Sequence, residues 1–435
     1  MVFRILQAGS VEAERLLMKE YGDLACYEQA VREILAEVKC RGDEAVLAYT
    51  ARFDGVELTA ATMRVSEAEV AEAYTRVDEE FLAALRLARD NISAFHQKQL
   101  PKSWAEPDQK GNVLGQLVRP LERVGIYVPG GTADYPSSVL MNAIPARVAG
   151  VKEIVMVAPP RRDGRLSPYT LVAAREAGVT EIYKIGGAQA IAALAFGTET
   201  IRKVDLITGP GNIYVTLAKK EVYGRVNIDM LAGPSEILII ADETANPRYL
   251  AADLLSQAEH DVLASSVLLT PSRELAEAVA GEVEKQLQAL ERREIAAKSL
   301  VSYGGAIITA DLEEAVALAN RYAPEHLELQ VQDPWQWLGR IQHAGAIFLG
   351  PYTPEPVGDY LAGPNHVLPT GGTARFYSAL NVETFMKKTS LLSYTARGLK
   401  AEGEAIVKLA NTEGLTAHAR AVAVRLEDLT EEGEQ

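Results

Sequence analysis

Four of the six histidines lie in short polar segments that also carry carboxylates, the grouping that acid/base or metal chemistry requires. These segments are residues 256–261, 322–327, 358–366 and 413–418. A cation held by imidazole nitrogen with carboxylate and amide oxygen, and without thiolate, fits zinc or manganese better than a redox metal. The residue types therefore predict a His/Asp metal site near a group that can move protons.

The first two segments have alternative explanations. In 256–261, Gln257 and His260 stand at i, i+3 spacing, so a helix would present both on one face as metal ligands require. A polar helix terminus explains the same residues equally well. In 322–327, a proline ends the preceding helix, and Glu325 and His326 follow side by side. An imidazole and a carboxylate so placed suit general acid/base chemistry, whereas a solvated loop pair is the common alternative.

The other histidines divide into two groups. Asp359 and His366 belong to a turn-rich stretch, and loops that carry such groups on an α/β scaffold are often functional. Glu413 and His418 flank a predicted turn before the final helix. For His96, in a helical segment, and for His343, in a loop that leads to a strand, we expect structural roles.

Three glycine-containing junctions follow predicted strands and open predicted helices, at residues 125–131, 186–189 and 209–214. Such loops let backbone amides and a helix N-terminus approach a pyrophosphate. The third junction departs from the dinucleotide fingerprint because Tyr214 stands where the last small residue belongs. Each loop alone is explained by a tight turn, and only together do they indicate a nucleotide.

The elements that must position these groups alternate between strand and helix. The apolar spacing predicts helices over about 11–99, and from about residue 111 short β-branched runs alternate with amphipathic segments. This alternation is typical of parallel sheets, and the two sets of strands predict two α/β units. Beyond Ser390 the pattern is mostly helical again, which predicts a small C-terminal module.

Composition limits the class of protein and its partners. The chain has 435 residues and a formal net charge of −15, with no basic stretch, so we expect no nucleic-acid partner. It has two cysteines, Cys26 and Cys40, and no apolar run that would span a bilayer or serve as a signal peptide. We therefore expect a cytoplasmic enzyme without membrane attachment.

Taken together, these segments resemble those of the histidinol dehydrogenase family, over nearly the whole chain. The resemblance also includes Ala232, Gly233, Pro234, Ser235 and Glu236 in succession. It implies oxidation of L-histidinol to L-histidine through L-histidinal with two NAD, the last step of histidine biosynthesis.

The resemblance also implies roles for individual residues. It assigns acid/base catalysis to Glu325 and His326, and one zinc ion per subunit to Gln257, His260, Asp359 and His418. The substrate would contact the zinc ligands, the catalytic pair and three further residues, Ser235, His366 and Glu413. Contacts with NAD would come from Tyr127, Gln189 and Asn212.

The fold implied is α/β, with two incomplete Rossmann-like domains that contain parallel sheets. We expect an N-terminal helical segment at 1–22, a first α/β domain at 23–124 and 236–380, and a second at 125–235. A C-terminal helical module at 381–435 would be exchanged across a homodimer, so that each active site is composite.

Two alternatives remain open. A relative on the same scaffold could oxidise another small alcohol, such as a sulfonated diol, although retention of His366 and Glu413 argues for an amino-imidazole substrate. A non-catalytic zinc protein is the second alternative, in which the clusters only join domains. Glu325 and His326 would then have no reason to lie beside a metal.

Overall fold

The computed structural model describes residues 2–18, 25–130 and 134–431. Residues 19–22 of the expected N-terminal segment and Gly131 of the first glycine loop lie outside the described residues. The chain divides into two compact units, the first comprising Met1–Gln99 and Leu121–Phe385 and the second comprising Leu100–Pro120 and Met386–Gln435. None of the described helices combines the length and apolar character that crossing a bilayer requires.

The strands are β1 (Arg4–Gln7), β2 (Trp104–Pro107), β3 (Val113–Pro120), β4 (Arg123–Tyr127), β5 (Glu153–Val157), β6 (Glu181–Tyr183), β7 (Leu206–Thr208), β8 (Asn227–Ile228), β9 (Glu236–Ala241), β10 (Ser265–Thr270), β11 (Gly304–Ile308), β12 (His326–Gln330), β13 (Ala346–Leu349) and β14 (Met386–Ser393).

The helices are α1 (Val11–Leu17), α2 (Ala25–Arg41), α3 (Asp43–Asp54), α4 (Ala60–Met63), α5 (Glu67–Tyr74), α6 (Glu79–Gln97), α7 (Pro136–Ala149), α8 (Pro168–Ala177), α9 (Gly187–Phe196), α10 (Ile213–Val222), α11 (Pro247–Ala258), α12 (Arg273–Leu287), α13 (Arg293–Tyr303), α14 (Leu312–Tyr322), α15 (Pro334–Leu338), α16 (Glu355–Tyr360), α17 (Ala396–Thr412) and α18 (Thr416–Glu431). Two short 3₁₀ helices occupy Thr373–Arg375 and Val382–Phe385.

Two parallel sheets form the first unit. The first sheet has the strand order β1-β11-β10-β9-β12-β13, and the second has the order β6-β5-β4-β7-β8. Strands β9 and β11 are buried along their full length, as expected for parallel strands covered by helices on both faces. The expected α/β class with two parallel sheets is confirmed.

The two sheets share one topology. Numbered along the chain from β9 in the first sheet and from β4 in the second, both have the order 3-2-1-4-5, and β1 adds an edge strand to the first. This is the strand order of a Rossmann fold without its sixth strand, and its switch point lies where the first and fourth strands meet. The switch points lie between β9 and β12 and between β4 and β7, and both parallel pairs are present.

Three segments differ from the sequence-based expectation. The expected helical segment 1–22 begins with strand β1, which pairs in parallel with β11 before helix α1 starts. Its four residues are too few to show a periodicity. The expected C-terminal helical module contains strand β14, which pairs antiparallel with β3 in a small sheet of the second unit.

The N-terminal helices also pack in an unexpected place. We expected residues from 23 onward to join the first α/β domain, but α2 packs on α9 and α10 beside the second sheet. Residues 188–195 of α9 are all buried, so this alanine-rich helix needs cover on more than one side. Helix α2 supplies that cover with Val31, Ile34, Leu35 and Val38.

A buried ion pair fixes the glycine turn after β7. Gly209 has φ +110°, and a Cβ there would lie 2.1 Å from the backbone oxygen of Tyr127. Its N–H donates to Asp229 Oδ2 at 2.8 Å, and its carbonyl accepts from Lys219 Nζ at 2.9 Å. Lys219 and Asp229 are themselves 2.5 Å apart and almost fully buried. Both backbone groups of this turn are therefore held by one salt bridge.

We expect Asp229→Leu to lower the free energy of unfolding by about 3–5 kcal/mol, because it leaves the Lys219 ammonium buried and unpaired. Urea unfolding followed by circular dichroism measures this change. The double variant Lys219→Met/Asp229→Leu is the control, and it should lose less stability than Asp229→Leu alone because neither charge remains. A double variant less stable than the single one would contradict this account of the pair.

Candidate active site

The backbone of Glu236 orients both members of the Glu325–His326 pair. Glu236 is the first residue of β9, and His326 is the first residue of the neighbouring strand β12. The Glu236 N–H donates to Glu325 Oε2 at 2.8 Å, and His326 Nδ1 donates to the Glu236 carbonyl at 2.9 Å. One residue of β9 thus contributes both of its main-chain groups to these side chains.

This contact determines the tautomer of His326. Because a carbonyl oxygen can only accept, Nδ1 carries the proton and Nε2 has a free lone pair when the ring is neutral. Nε2 is buried and has no hydrogen-bond partner among the described residues. It lies 3.8 Å from Asp359 Oδ1. The ring therefore presents an unpaired basic nitrogen toward Asp359.

Glu325 has an unusually basic carboxylate. Burial raises its pKa to about 8, and the charge of Glu236 also raises it. The His326 ring and the backbone N–H of Glu236 act in the opposite direction without cancelling the shift. A buried carboxyl group with a pKa near neutrality is suited to proton transfer in either direction.

A candidate metal-binding group adjoins this pair. One ligand atom each from His326, Glu355 and Asp359 lie within 4.8 Å of one another. Of the four zinc ligands that the family resemblance implies, only Asp359 belongs to this group. Gln257, at the end of α11, is fully buried beside it, and its amide nitrogen can donate to both Glu355 oxygens at 3.1 and 3.2 Å.

His260 completes the ligands in the first unit. It lies two residues beyond the end of α11, is exposed, and interacts electrostatically with Asp359 and His326. Gln257, His260 and Asp359 thus lie around the same group. An amide oxygen, an imidazole and a carboxylate together match the donors that zinc accepts, so the residues present fit this metal.

His366 is held on the opposite side of Asp359. His366 Nδ1 donates to the Asp359 carbonyl at 2.9 Å, and Ser138 Oγ of α7 lies 3.4 Å from Nε2. The adjacent Asn365 donates to the Met141 carbonyl of α7 at 2.6 Å. His96 lies 3.4 Å from Asn365 and is fully buried, which agrees with the structural role expected for it.

The remaining sequence-derived residues are placed as follows. Ser235 directly precedes β9, is partly buried, and accepts a hydrogen bond from the Ser265 backbone. Glu413 caps the end of α17, and His418 lies on α18. Both are exposed residues of the second unit. Glu413 and His418 therefore belong to the second unit, whereas the other candidate residues belong to the first.

Sequence reasoning missed a layer of buried carboxyl groups beneath the site. Glu355 donates its backbone N–H to Glu328 Oε1 at 3.1 Å, and Glu328 also interacts with Asp253. Burial raises the pKa of Glu328 and of Glu355 well above the ordinary value and raises that of Asp253 to about 6. A signal existed, since Glu328 is a charged residue inside a strand and a buried charge needs a partner.

The three glycine junctions meet at a separate cavity of about 880 Å³. Tyr127, Gln189 and Asn212 line it, as does Tyr214, the residue that departs from the fingerprint. The Tyr127 hydroxyl accepts a hydrogen bond from the Gly187 N–H at 3.2 Å. All three junctions follow strands of the second sheet, so they lie at its carboxyl edge.

The cavity has the features that a dinucleotide requires. It lies beside the N-termini of α9 and α10, where the helix dipole favours a phosphate. Gln189 Oε1 is buried and has no hydrogen-bond partner within the described ranges, so a donor from a ligand would satisfy it. The cavity therefore fits a ligand that combines phosphate with hydrogen-bond donors.

Comparisons with known proteins agree with this arrangement. A family model described as histidinol dehydrogenase matches residues 18–426. Curated relatives include the histidinol dehydrogenase of Heliobacterium mobile, 61% identical over 98% of this chain and 99% of the relative. That of Moorella thermoacetica is 62% identical over 91% and 94% of the two chains. The crystal structure of histidinol dehydrogenase from Elizabethkingia anophelis has a TM-score of 0.93 and 40% identity, and covers 99% of both chains.

The pKa of Glu325 predicts a pH-dependent effect on stability. The folded chain binds this proton up to about pH 8, whereas the unfolded chain releases it near an ordinary carboxyl pKa of about 4.5. The proton's contribution to stability is complete below about pH 4.5 and is lost as the pH rises through about 8. We expect the free energy of unfolding of the wild type to fall relative to Glu325→Gln over this range. Urea titrations at a series of pH values test this, and parallel curves for the two proteins would contradict it.

Proposed function

The chain belongs to the histidinol dehydrogenase family, and from this premise we propose that it oxidises L-histidinol to L-histidine through L-histidinal. The family match extends over nearly the whole chain, which confirms the resemblance carried by the motifs. The protein is accordingly an oxidoreductase of histidine biosynthesis. We further propose that two NAD are consumed for each histidine formed and that each subunit holds one zinc ion.

The geometry at Glu236 is the observation that carries the catalytic assignment. With Nδ1 committed to the Glu236 carbonyl, His326 Nε2 is available to accept the hydroxyl proton of the alcohol. Burial raises the pKa of Glu325 to about 8, so its ionised form is a stronger base toward water than an ordinary carboxylate. We assign the alcohol proton to His326 and the activation of water for the second oxidation to Glu325.

The overall reaction balances with these two bases. In the first half, the alcohol loses a proton and a hydride and becomes the aldehyde. In the second half, water adds to the aldehyde to give its hydrate, and the hydrate loses a second hydride and two protons, which pass through the two bases to solvent, to become the carboxylate. NAD, when bound, accepts the hydride in each half.

The metal site is proposed from Gln257, His260 and Asp359, with His418 as the fourth ligand. Zinc, when bound, supplies an anchor for the nitrogens of the substrate. Glu355 adjoins this set and can hold the Gln257 amide nitrogen, which leaves the amide oxygen for the metal. Ser235, His366 and Glu413 are proposed to contact the substrate.

The cofactor and the partner subunit complete the proposal. Tyr127, Gln189 and Asn212 line the cavity beside two helix N-termini, and we assign the NAD site there. His418 and Glu413 are exposed on the C-terminal helices, and we propose that they complete the site of a second copy in a homodimer. The cytoplasmic location and the absence of a nucleic-acid partner, both expected from composition, are part of this proposal.

Activity with histidinol tests the proposed reaction. We expect two NADH for each histidine formed, since the alcohol and the aldehyde each lose one hydride. A chelator should abolish NADH formation, and added zinc should restore it. Absorbance at the NADH band and chromatography of the product measure both quantities. A zinc-loaded enzyme that reduces NAD with a sulfonated diol but not with histidinol would favour the first alternative, and one inactive with any alcohol would favour a structural zinc protein.

A mixed dimer tests the composite site. We expect His418→Ala and His260→Ala homodimers to be inactive, because each site lacks one ligand. A heterodimer of the two variants has one site with all four ligands and one site with both lesions. It should therefore recover roughly half of the wild-type activity per dimer if the sites are independent.

Co-expression with two different tags allows this heterodimer to be isolated, and each variant homodimer purified in the same way is its control. Zinc content, measured by atomic absorption, should be close to one ion per heterodimer. An intact heterodimer no more active than the homodimers would contradict the exchange of His418 between subunits.

A further inference from the structure

Asp54 occupies a position where a carboxylate lowers the stability of the folded protein when no ligand is bound. It is the last residue of α3, and Gly55 ends the helix with φ 70°. A negative charge at a helix C-terminus opposes the helix dipole. Asp54 Oδ2 is shielded from solvent and has no hydrogen-bond partner in residues 2–18, 25–130 and 134–431. A buried acceptor without a donor lowers stability, so a ligand is the natural explanation for it.

The position of Asp54 indicates which ligand would bind to it. The residue lines the 880 Å³ cavity together with Tyr127, Gln189 and Asn212. The charge of Asp54 raises the pKa of Tyr127, although burial is the larger cause, so the two side chains are close. Burial likewise raises the pKa of Asp54 to about 6, which agrees with a carboxylate that lacks a compensating donor.

The chemistry of a dinucleotide limits which of its parts can bind to the Asp54 carboxylate. A pyrophosphate carries negative charge and has no donor, so it would be repelled by Asp54. The same cavity is lined by Arg52 and Arg162, whose guanidinium groups suit that group. Ribose hydroxyls are donors, and pairing them with a carboxylate is a general solution for nucleotide sugars.

We propose that Asp54 binds a dinucleotide by accepting a hydrogen bond from a ribose hydroxyl. This inference rests on the proposed NAD-dependent function and adds a residue that the sequence motifs did not indicate. Asp54 Oδ2, which has no donor within the described part of the chain, receives one from the sugar. Asp54 thereby fixes the position of the ribose while the glycine turns and arginines face the phosphates.

The matched control is Glu33, the other carboxylate that lines the cavity. Glu33 is exposed, and its Oε1 accepts a hydrogen bond from Gln29 at 2.8 Å. Removing either carboxylate removes one negative charge from the cavity wall. Of the two, only Asp54 has a solvent-shielded oxygen without a hydrogen-bond partner among the described residues.

The experiment measures the dissociation constant of NADH for the full-length, zinc-loaded protein by titration of NADH fluorescence. We expect Asp54→Ala to weaken NADH binding about tenfold, as for loss of a hydrogen bond to a charged group. Glu33→Ala should stay within about twofold of the wild type. The melting temperature of Asp54→Ala without ligand should equal or exceed that of the wild type, whereas a purely structural role for Asp54 would lower it.

Competition with fragments identifies the sugar. ADP carries only the adenosine ribose, and reduced nicotinamide mononucleotide carries only the other. The fragment whose competition against NADH is weakened by Asp54→Ala contains the ribose that Asp54 binds. If neither fragment is affected while NADH is, the donor is not a ribose hydroxyl and the proposal is wrong.

Other outcomes separate this inference from the proposed function. Unchanged NADH affinity in Asp54→Ala, with normal binding by the wild type, overturns the role of Asp54 alone. A wild type that binds NADH but does not oxidise histidinol overturns the proposed reaction and leaves the role of Asp54 intact. A wild type that does not bind NADH overturns both.

Discussion

The two hydrogen bonds made by the main chain of Glu236 are the interaction on which the rest of the site depends. They fix the Glu325 carboxylate and the His326 ring at adjacent points, and they exist because β9 and β12 are neighbours at the switch point of the first sheet. The buried carboxyl layer and the ligands on α11 and α16 are arranged around that pair. Because main-chain groups of residue 236 make both contacts, the contacts do not depend on its side chain.

The two sheets have the same strand order, but the two proposed sites lie at opposite edges of them. The cofactor cavity lies at the carboxyl edge of the second sheet, which is the usual position for nucleotides in open α/β folds. The proposed catalytic pair, Glu325 and His326, lies at the amino edge of the first sheet, because Glu236 and His326 begin their strands. Helix α11 runs back across that sheet, so its C-terminal end brings Gln257 to the same edge. Topology alone therefore locates the cofactor cavity but not the catalytic group.

Patterns within short segments of the sequence predicted the structural features that depend on those segments alone. The parallel sheets were predictable because short apolar runs alternate with amphipathic helical segments, and strand β9 begins and ends where the pattern indicates. The strands β1 and β14 were not predicted, since both depend on partners distant in sequence. The site shows the same division. Adjacent residues such as Glu325 and His326 were recognisable, whereas Glu355 and Asp54 matter through contacts that only the fold creates.

The attachment of residues 365 and 366 to helix α7 has a consequence for the order of events in a two-step oxidation. Helix α7 follows β4 at the cofactor cavity, while His366 also holds the backbone of Asp359 at the metal site. Because Ser138 and Met141 of α7 contact His366 and Asn365, a displacement of α7 would also displace these two residues. In the proposed reaction, a movement of α7 during the exchange of NAD would therefore reach the residues that we propose to hold the substrate. The contacts of residues 365 and 366 thus couple the two proposed sites through the scaffold itself.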